Sequence, residues 1–144
     1  MKTLKTSLLF LVASLLFISC STWKERLHAD HPLWLKGEWS GVGLQVNIPQ
    51  TWTMELIVTD KNYEIRYPTL DCSGVWTLEG SSAHKAVFTE VVTYGFERCT
   101  NGGKIVITKI DKYHISFSYF SPKNGKLEAY STLTNAKFQE SYKI

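Results

Sequence analysis

The sequence predicts an all-β domain of eight antiparallel strands closed into an up-and-down barrel, with a two-sheet β-sandwich of the same strands as the alternative. Three observations lead there. From Gly37 onward apolar and polar residues alternate in short runs, the period-two pattern of strands with one buried and one wetter face. The runs recur about every 12 residues and are joined by short, turn-rich connections, so each pairs antiparallel with the next. Closing such a meander removes both exposed edges, and Gly41 and Gly43 let the first strand bend sharply enough to do so.

The first run is Glu38 to Val46, turned by Asn47-Ile48-Pro49-Gln50. Thr51 to Thr59 follows, with Trp52, Met54, Leu56 and Val58 on one face. Asp60-Lys61-Asn62 turns tightly into the third run, where Tyr63, Ile65 and Tyr67 alternate with Glu64 and Arg66. Leu70, Cys72, Gly74, Trp76 and Leu78 form the apolar side of the fourth, which ends at the turn Glu79-Gly80-Ser81-Ser82. The fifth, His84 to Tyr94, sets Ala86, Phe88, Val92 and Tyr94 on one face with Glu90 among them. Gly95 to Gly103 is the longest connection and contains Cys99. Lys104 to Ile110, Lys112 to Phe120 and Leu127 to Thr134 complete the set, and Phe138 and Tyr142 are placed to pack back on the body.

Ahead of the barrel stands a different kind of sequence. Met1 to Ser7 carries Lys2, Lys5 and no acid, and Leu8 to Ile18 is apolar apart from Ala13 and Ser14. This is the layout of a secretory signal, too short for a permanent membrane span. Ser19 before Cys20 resembles the lipobox of bacterial lipoproteins, where a diacylglycerol joins the thiol and the peptide is cut before the cysteine. Phe17 stands where that family prefers Leu, with Leu16 one place further back. The resemblance implies a signal over 1–19, a lipidated tether over 20–36, a domain over 37–144, and a membrane anchor of two or three acyl chains. The alternative is an ordinary secretory signal with Cys20 incidental. Ser21 after the cysteine resembles outer-membrane lipoproteins under the enterobacterial sorting rule, which implies the outer membrane, facing the periplasm, ahead of the inner membrane.

Within the tether, Trp23 to Ala29 is expected to make about two helical turns, which Asp30-His31-Pro32 would stop. Glu25, His28, Asp30 and His31 carry ligand atoms at spacings of three, but no cysteine or further histidine completes a metal site, so a solvated linker is expected. Loss of Lys2 and Lys5 leaves 14 basic and 13 acidic residues, a net charge of +1. Without a basic run there is no electrostatic footprint for nucleic acid. With Cys20 assigned to lipid, Cys72 and Cys99 remain, and an even pair in an exported chain reads as a disulfide, with two free buried thiols as the alternative.

Gly37-Glu38-Trp39 resembles the Gly-x-Trp opening of lipocalin- and avidin-like (calycin-type) barrels. That resemblance implies that Trp39 closes one barrel end and packs on a late basic residue, for which Lys137 is the candidate. The block Tyr67 to Ile107 is similar to a small extracytoplasmic β domain found in bacterial lipoproteins and attached to some bacterial serine/threonine kinases. Tyr67-Pro68, Leu70-x-Cys72-x-Gly74, Glu90, Gly95, Cys99 and Gly102-Gly103 carry the likeness. It implies a Cys72–Cys99 disulfide and an all-β fold, and it transfers no catalytic activity.

Glu90 is the sharpest candidate for a functional polar group. A carboxylate on an apolar face needs partners, or its pKa rises until it is neutral. Arg66, Arg98 or tyrosine hydroxyls are the available partners. Glu90 is then a satisfied structural group, a group that orients a ligand or an acid/base, or a surface residue if the strand is inverted. Trp39, Trp52, Trp76, Tyr63, Tyr67, Tyr113 and Phe117 either line a pocket for an apolar or saccharide ligand or fill a core. His84 and His114 are expected to be exposed. No nucleophile elbow, zinc-binding helix or phosphate loop is present, so the sequence names no catalytic residue, metal or cofactor. The resulting expectation is a lipid-anchored envelope protein with a non-catalytic binding module, for a protein partner first. A small apolar or saccharide ligand inside the barrel is the alternative, and an enzyme using Glu90 the third reading.

Overall fold

The computed structural model describes residues 27–141. The signal segment, Cys20, Trp23, Glu25 and Tyr142 lie outside the described residues. Eight strands form a closed barrel in strictly sequential order: β1 (Gly37–Gln45), β2 (Thr51–Val58), β3 (Tyr63–Tyr67), β4 (Cys72–Ser81), β5 (Lys85–Tyr94), β6 (Lys104–Lys109), β7 (His114–Phe120) and β8 (Leu127–Asn135). A short helix, α1 (Ala136–Glu140), follows β8. All pairs are antiparallel, and β1 pairs with β2 on one side and β8 on the other, which rules out the open sandwich.

Alternation decides what is inside. Trp52, Met54, Leu56 and Val58 of β2, Tyr63, Ile65 and Tyr67 of β3, and Ile115, Phe117 and Tyr119 of β7 are all buried. Of their intervening neighbours, Thr53, Glu55 and Arg66 are exposed and Ile57, Glu64, Ser116 and Ser118 are half-buried. Each fully buried aliphatic or aromatic side chain contributes about 1.5–3 kcal/mol of transfer free energy.

Four local departures from the expected elements have identifiable causes. Leu70 belongs to a 3-10 turn, Pro68–Leu70, rather than to β4, because Pro68 has no N–H to give a sheet and Asp71 turns the chain at φ 51°. At its far end β4 runs through Gly80 to Ser81, past the turn expected at Glu79, because the register slips between Leu78 and Gly80. A second slip between Ser73 and Gly74 rotates Tyr94 outward, where it is 55% exposed under the Arg98 guanidinium. Asp111 holds the backbone N–H groups of Tyr113 and His114, so β7 begins only at His114, and Lys112 is left in the turn. His84 is exposed, as expected, whereas His114 is half-buried beside Asp111 and Phe138. Phe138 does pack back on the body, 5.0 Å from the Tyr113 ring and 5.2 Å from that of His114.

The larger difference concerns the residues before the barrel. From Leu27 the chain does not run free but lies across one barrel end. His28 and Ser81 exchange backbone hydrogen bonds, the Ser81 hydroxyl donates to the Asp30 carbonyl, and Trp34 Nε1 donates to Ser82 O at 2.9 Å. A 3-10 turn, Leu33–Leu35, drops Leu35 into the core at 0% exposure. Trp39 caps this end from within, donating through Nε1 to Leu35 O at 2.8 Å. Its cover is therefore the preceding chain and not a late basic residue. The cation–π contacts among the described residues are Arg98 over Tyr94 and Lys112 over Tyr113, and Lys137 is exposed on α1.

Candidate functional site

The barrel interior divides into a filled half and an open half. At the covered end the His31 ring lies 5.1 Å from that of Tyr63, and the Tyr63 hydroxyl is hydrogen-bonded to His31 Nδ1. The column of rings continues from Tyr63 to Phe88 at 4.8 Å, Phe88 to Trp76 at 5.5 Å, and Trp76 to Phe117 at 5.9 Å. Edge-on and offset contacts of this kind pack a small barrel solidly. Above Trp76 and Phe117 the filling stops. A cavity of about 220 Å³ opens there toward the other end, under the β1–β2, β3–β4, β5–β6 and β7–β8 connections.

Glu90 lies in the wall of this cavity, 3% exposed. Its place follows from the inward face of β5, where Ala86, Phe88, Glu90 and Val92 alternate and all are buried. Glu90 Oε1 accepts the Tyr67 hydroxyl at 2.5 Å and Trp76 Nε1 at 3.3 Å. Trp76 is its cross-strand partner on β4, and Tyr67 stands one strand further round, on β3. Both donors use the same oxygen. Oε2 has no protein donor among the described residues. Burial pushes the Glu90 carboxyl above its ordinary value, and the two donated hydrogen bonds offset that only in part. Tyr67 is raised well above the usual phenol range by its own burial, with the Glu90 charge adding to it. Tyr119 is raised for the same reasons in the same order.

The expected arginine partners stand elsewhere. Arg66 faces outward, because it occupies the alternate position next to Tyr67. Arg98 lies at the cavity rim, but its guanidinium bonds Asp71 at 2.9 Å, Glu97 at 3.2 Å and the Asp71 carbonyl at 3.1 Å. Of the partners the sequence offered to Glu90, the tyrosine hydroxyl is the one used.

Two glycines make room for the cavity's aromatic walls. Trp52 lies against Gly43, its cross-strand partner, where a Cβ would meet the indole at 2.4 Å. Tyr119 lies against Gly103, where a Cβ would come within 2.1 Å of the ring, and its hydroxyl donates to Thr100 O at 3.3 Å. Trp52 Nε1 is buried with no acceptor among the described residues. With Tyr67 and Phe117, these rings line the cavity, and Gln45, Gln50 and Glu128 add polar atoms to the lining.

Cys72 and Cys99 are joined as a disulfide with Cα atoms 6.3 Å apart. The bond pins the β5–β6 connection to the start of β4, so Arg98, Cys99 and Thr100 are held at the rim. Of the aromatic candidates, Trp52, Tyr67 and Phe117 line the cavity, Trp76 is not in its lining but donates to Glu90, and Trp39 serves the closed end. Tyr119 was not singled out from the sequence, although its place in the Ile115, Phe117, Tyr119 alternation marks it as inward-facing. Among the described residues no three His, Cys, Asp or Glu side chains gather as a metal site, and His28, Asp30 and His31 are engaged at the covered end.

No protein-family model matches this chain, and no curated protein matches it either.

Proposed function

We propose that this chain is a lipid-anchored protein of the bacterial cell envelope whose barrel is a non-catalytic binding module for a small ligand taken up through its open end. The observation that carries this reading is the half-empty interior. A cavity of about 220 Å³, walled by Trp52, Tyr67, Phe117 and Tyr119, has one carboxylate oxygen without a protein donor in its wall. Small-molecule sites have this make-up: mostly apolar and aromatic walls with a few placed polar groups. The lipobox resemblance at Cys20 supports the anchor, and Ser21 supports the outer membrane facing the periplasm.

The test is native against denaturing mass spectrometry on the protein purified from a periplasm. Extra mass present only under native conditions is the expected result. A bare chain, with no small molecule retained or taken up on incubation with envelope extracts, would overturn the reading.

A protein partner is the second reading. It is favoured by Leu44 and Tyr130, which pair across β1 and β8 on the outside of the barrel, and by Val42 two residues along; all three are exposed. Tyr130→Arg would then abolish co-purification of the partner and leave ligand mass unchanged.

A further inference from the structure

We propose that the ligand of the open-end cavity is a cation, an alkyl- or arylalkyl-ammonium whose N–H groups reach Glu90 Oε2 while its carbon frame lies between the aromatic walls. This rests on the reading of the barrel as a small-ligand module and names its ligand class.

Charge is the first argument. The cavity lining holds two carboxylates, Glu90 and Glu128, and one guanidinium, Arg98. That guanidinium is already bonded to Asp71 and Glu97. No ion pair reaches Glu90 among the described residues, although it is 3% exposed. A buried carboxylate served by two neutral donors lacks the counter-charge that would offset its desolvation. An ammonium supplies that charge together with the missing donor. A saccharide hydroxyl supplies only the donor, and an anion is repelled.

The walls are the second argument. Trp52, Tyr67, Phe117 and Tyr119 line the cavity, and the negative face of an aromatic quadrupole attracts a cation while the ring tolerates its hydrocarbon frame. A bare metal ion fits less well, because among the described residues no three His, Cys, Asp or Glu side chains gather to hold one, and hard cations require several oxygen donors. The ionisable groups of the cavity lining besides Glu90 are Tyr67 and Tyr119, both held neutral by raised pKa values, Arg98, already bonded to Asp71 and Glu97, and Glu128.

The experiment is calorimetric titration of the intact, disulfide-bonded protein with phenethylamine, phenethyl alcohol and N-acetylglucosamine. The amine and the alcohol have nearly the same shape and differ in charge. The amine is expected to bind about tenfold or more tightly than the alcohol, and Glu90→Gln is expected to bring the ratio of the two affinities close to one. Should that variant fail to fold, the wild type answers the same question. Its affinity for the amine, and that of Glu128→Gln, is expected to fall from about pH 8 to about pH 4, as Glu90 takes up a proton, and the affinity for the alcohol to stay level. Equal affinities for amine and alcohol, tighter binding of the sugar, or a preference indifferent to pH would overturn the cation and leave the small-ligand reading standing. Failure of all three probes, with a bare chain in native mass spectrometry, would remove both.

Discussion

Tyr67 on β3 donates its hydroxyl to Glu90 on β5 across the intervening β4, at 2.5 Å and 23 residues' separation. The bond ties three strands together at the cavity wall and leaves one carboxylate oxygen for something else. Burial raises the Glu90 pKa above its unfolded value, so folding stability is greatest below the unfolded value and is lost as pH rises through the folded one. Glu90→Gln retains an acceptor for Tyr67 and Trp76 and removes the charge. Its thermal midpoint should exceed that of the wild type by a few degrees at neutral pH, and the difference should shrink toward zero as pH falls to the ordinary carboxylate range. Thermal melts at a series of pH values check this, and a difference that grows in acid would refute it.

Disruption of Cys72–Cys99 should cost about 3 kcal/mol, chiefly by freeing the unfolded chain over a sequence separation of 27. Because the bond also holds Arg98 and Thr100 at the rim, Cys99→Ser should make the Gly95 to Gly103 connection the first site of proteolysis. Denaturant titration and mapping of the earliest nick measure the two effects separately.

Gly103→Ala places a methyl 2.1 Å from the Tyr119 ring, which cannot stay where it is. A loss of about 1–3 kcal/mol is expected, the usual consequence of overpacking. The displaced ring enters the cavity, so bound mass in native spectra should fall even where the protein remains folded.

Leu35→Ala tests whether the residues before the barrel are part of it. A side chain on a free tether would be worth nothing to the fold, but one at 0% exposure should cost about 2–5 kcal/mol when cut back to a methyl. Leu33→Ala is the control, two residues away and 75% exposed, with an expected effect within about 0.5 kcal/mol. Urea unfolding of the two variants decides it.

Strand positions were legible because burial in a barrel follows a period of two, and the residues obey it closely from Trp52 to Tyr67. Glu90 was legible as an anomaly for the same reason: it breaks an apolar face. Its partners were not, since Tyr67, Arg66 and Arg98 are equally plausible until the facing direction of β3 and the bonds of the β5–β6 connection are known. The outward place of Tyr94 is not legible, because a register slip leaves no mark in the alternation of its own strand. The docking of residues 27–36 was hidden by distance. Trp34 bonds a residue 48 positions away, and the Asp30 carbonyl accepts from one 51 positions away. The apolar Pro32-Leu33-Trp34-Leu35 in an otherwise polar stretch was the one hint.

By itself, then, the sequence determined the eight strands and their antiparallel order, since these follow from local periodicity and short connections, and it left Cys72 and Cys99 either paired or free. Only the tertiary structure decided that the interior is filled at one end and hollow at the other. That outcome depends on which rings stack from His31 to Phe117, and on two glycines that let Trp52 and Tyr119 lie flat against the wall. Packing of this kind is a sum over residues distant in the chain, and no local pattern encodes it.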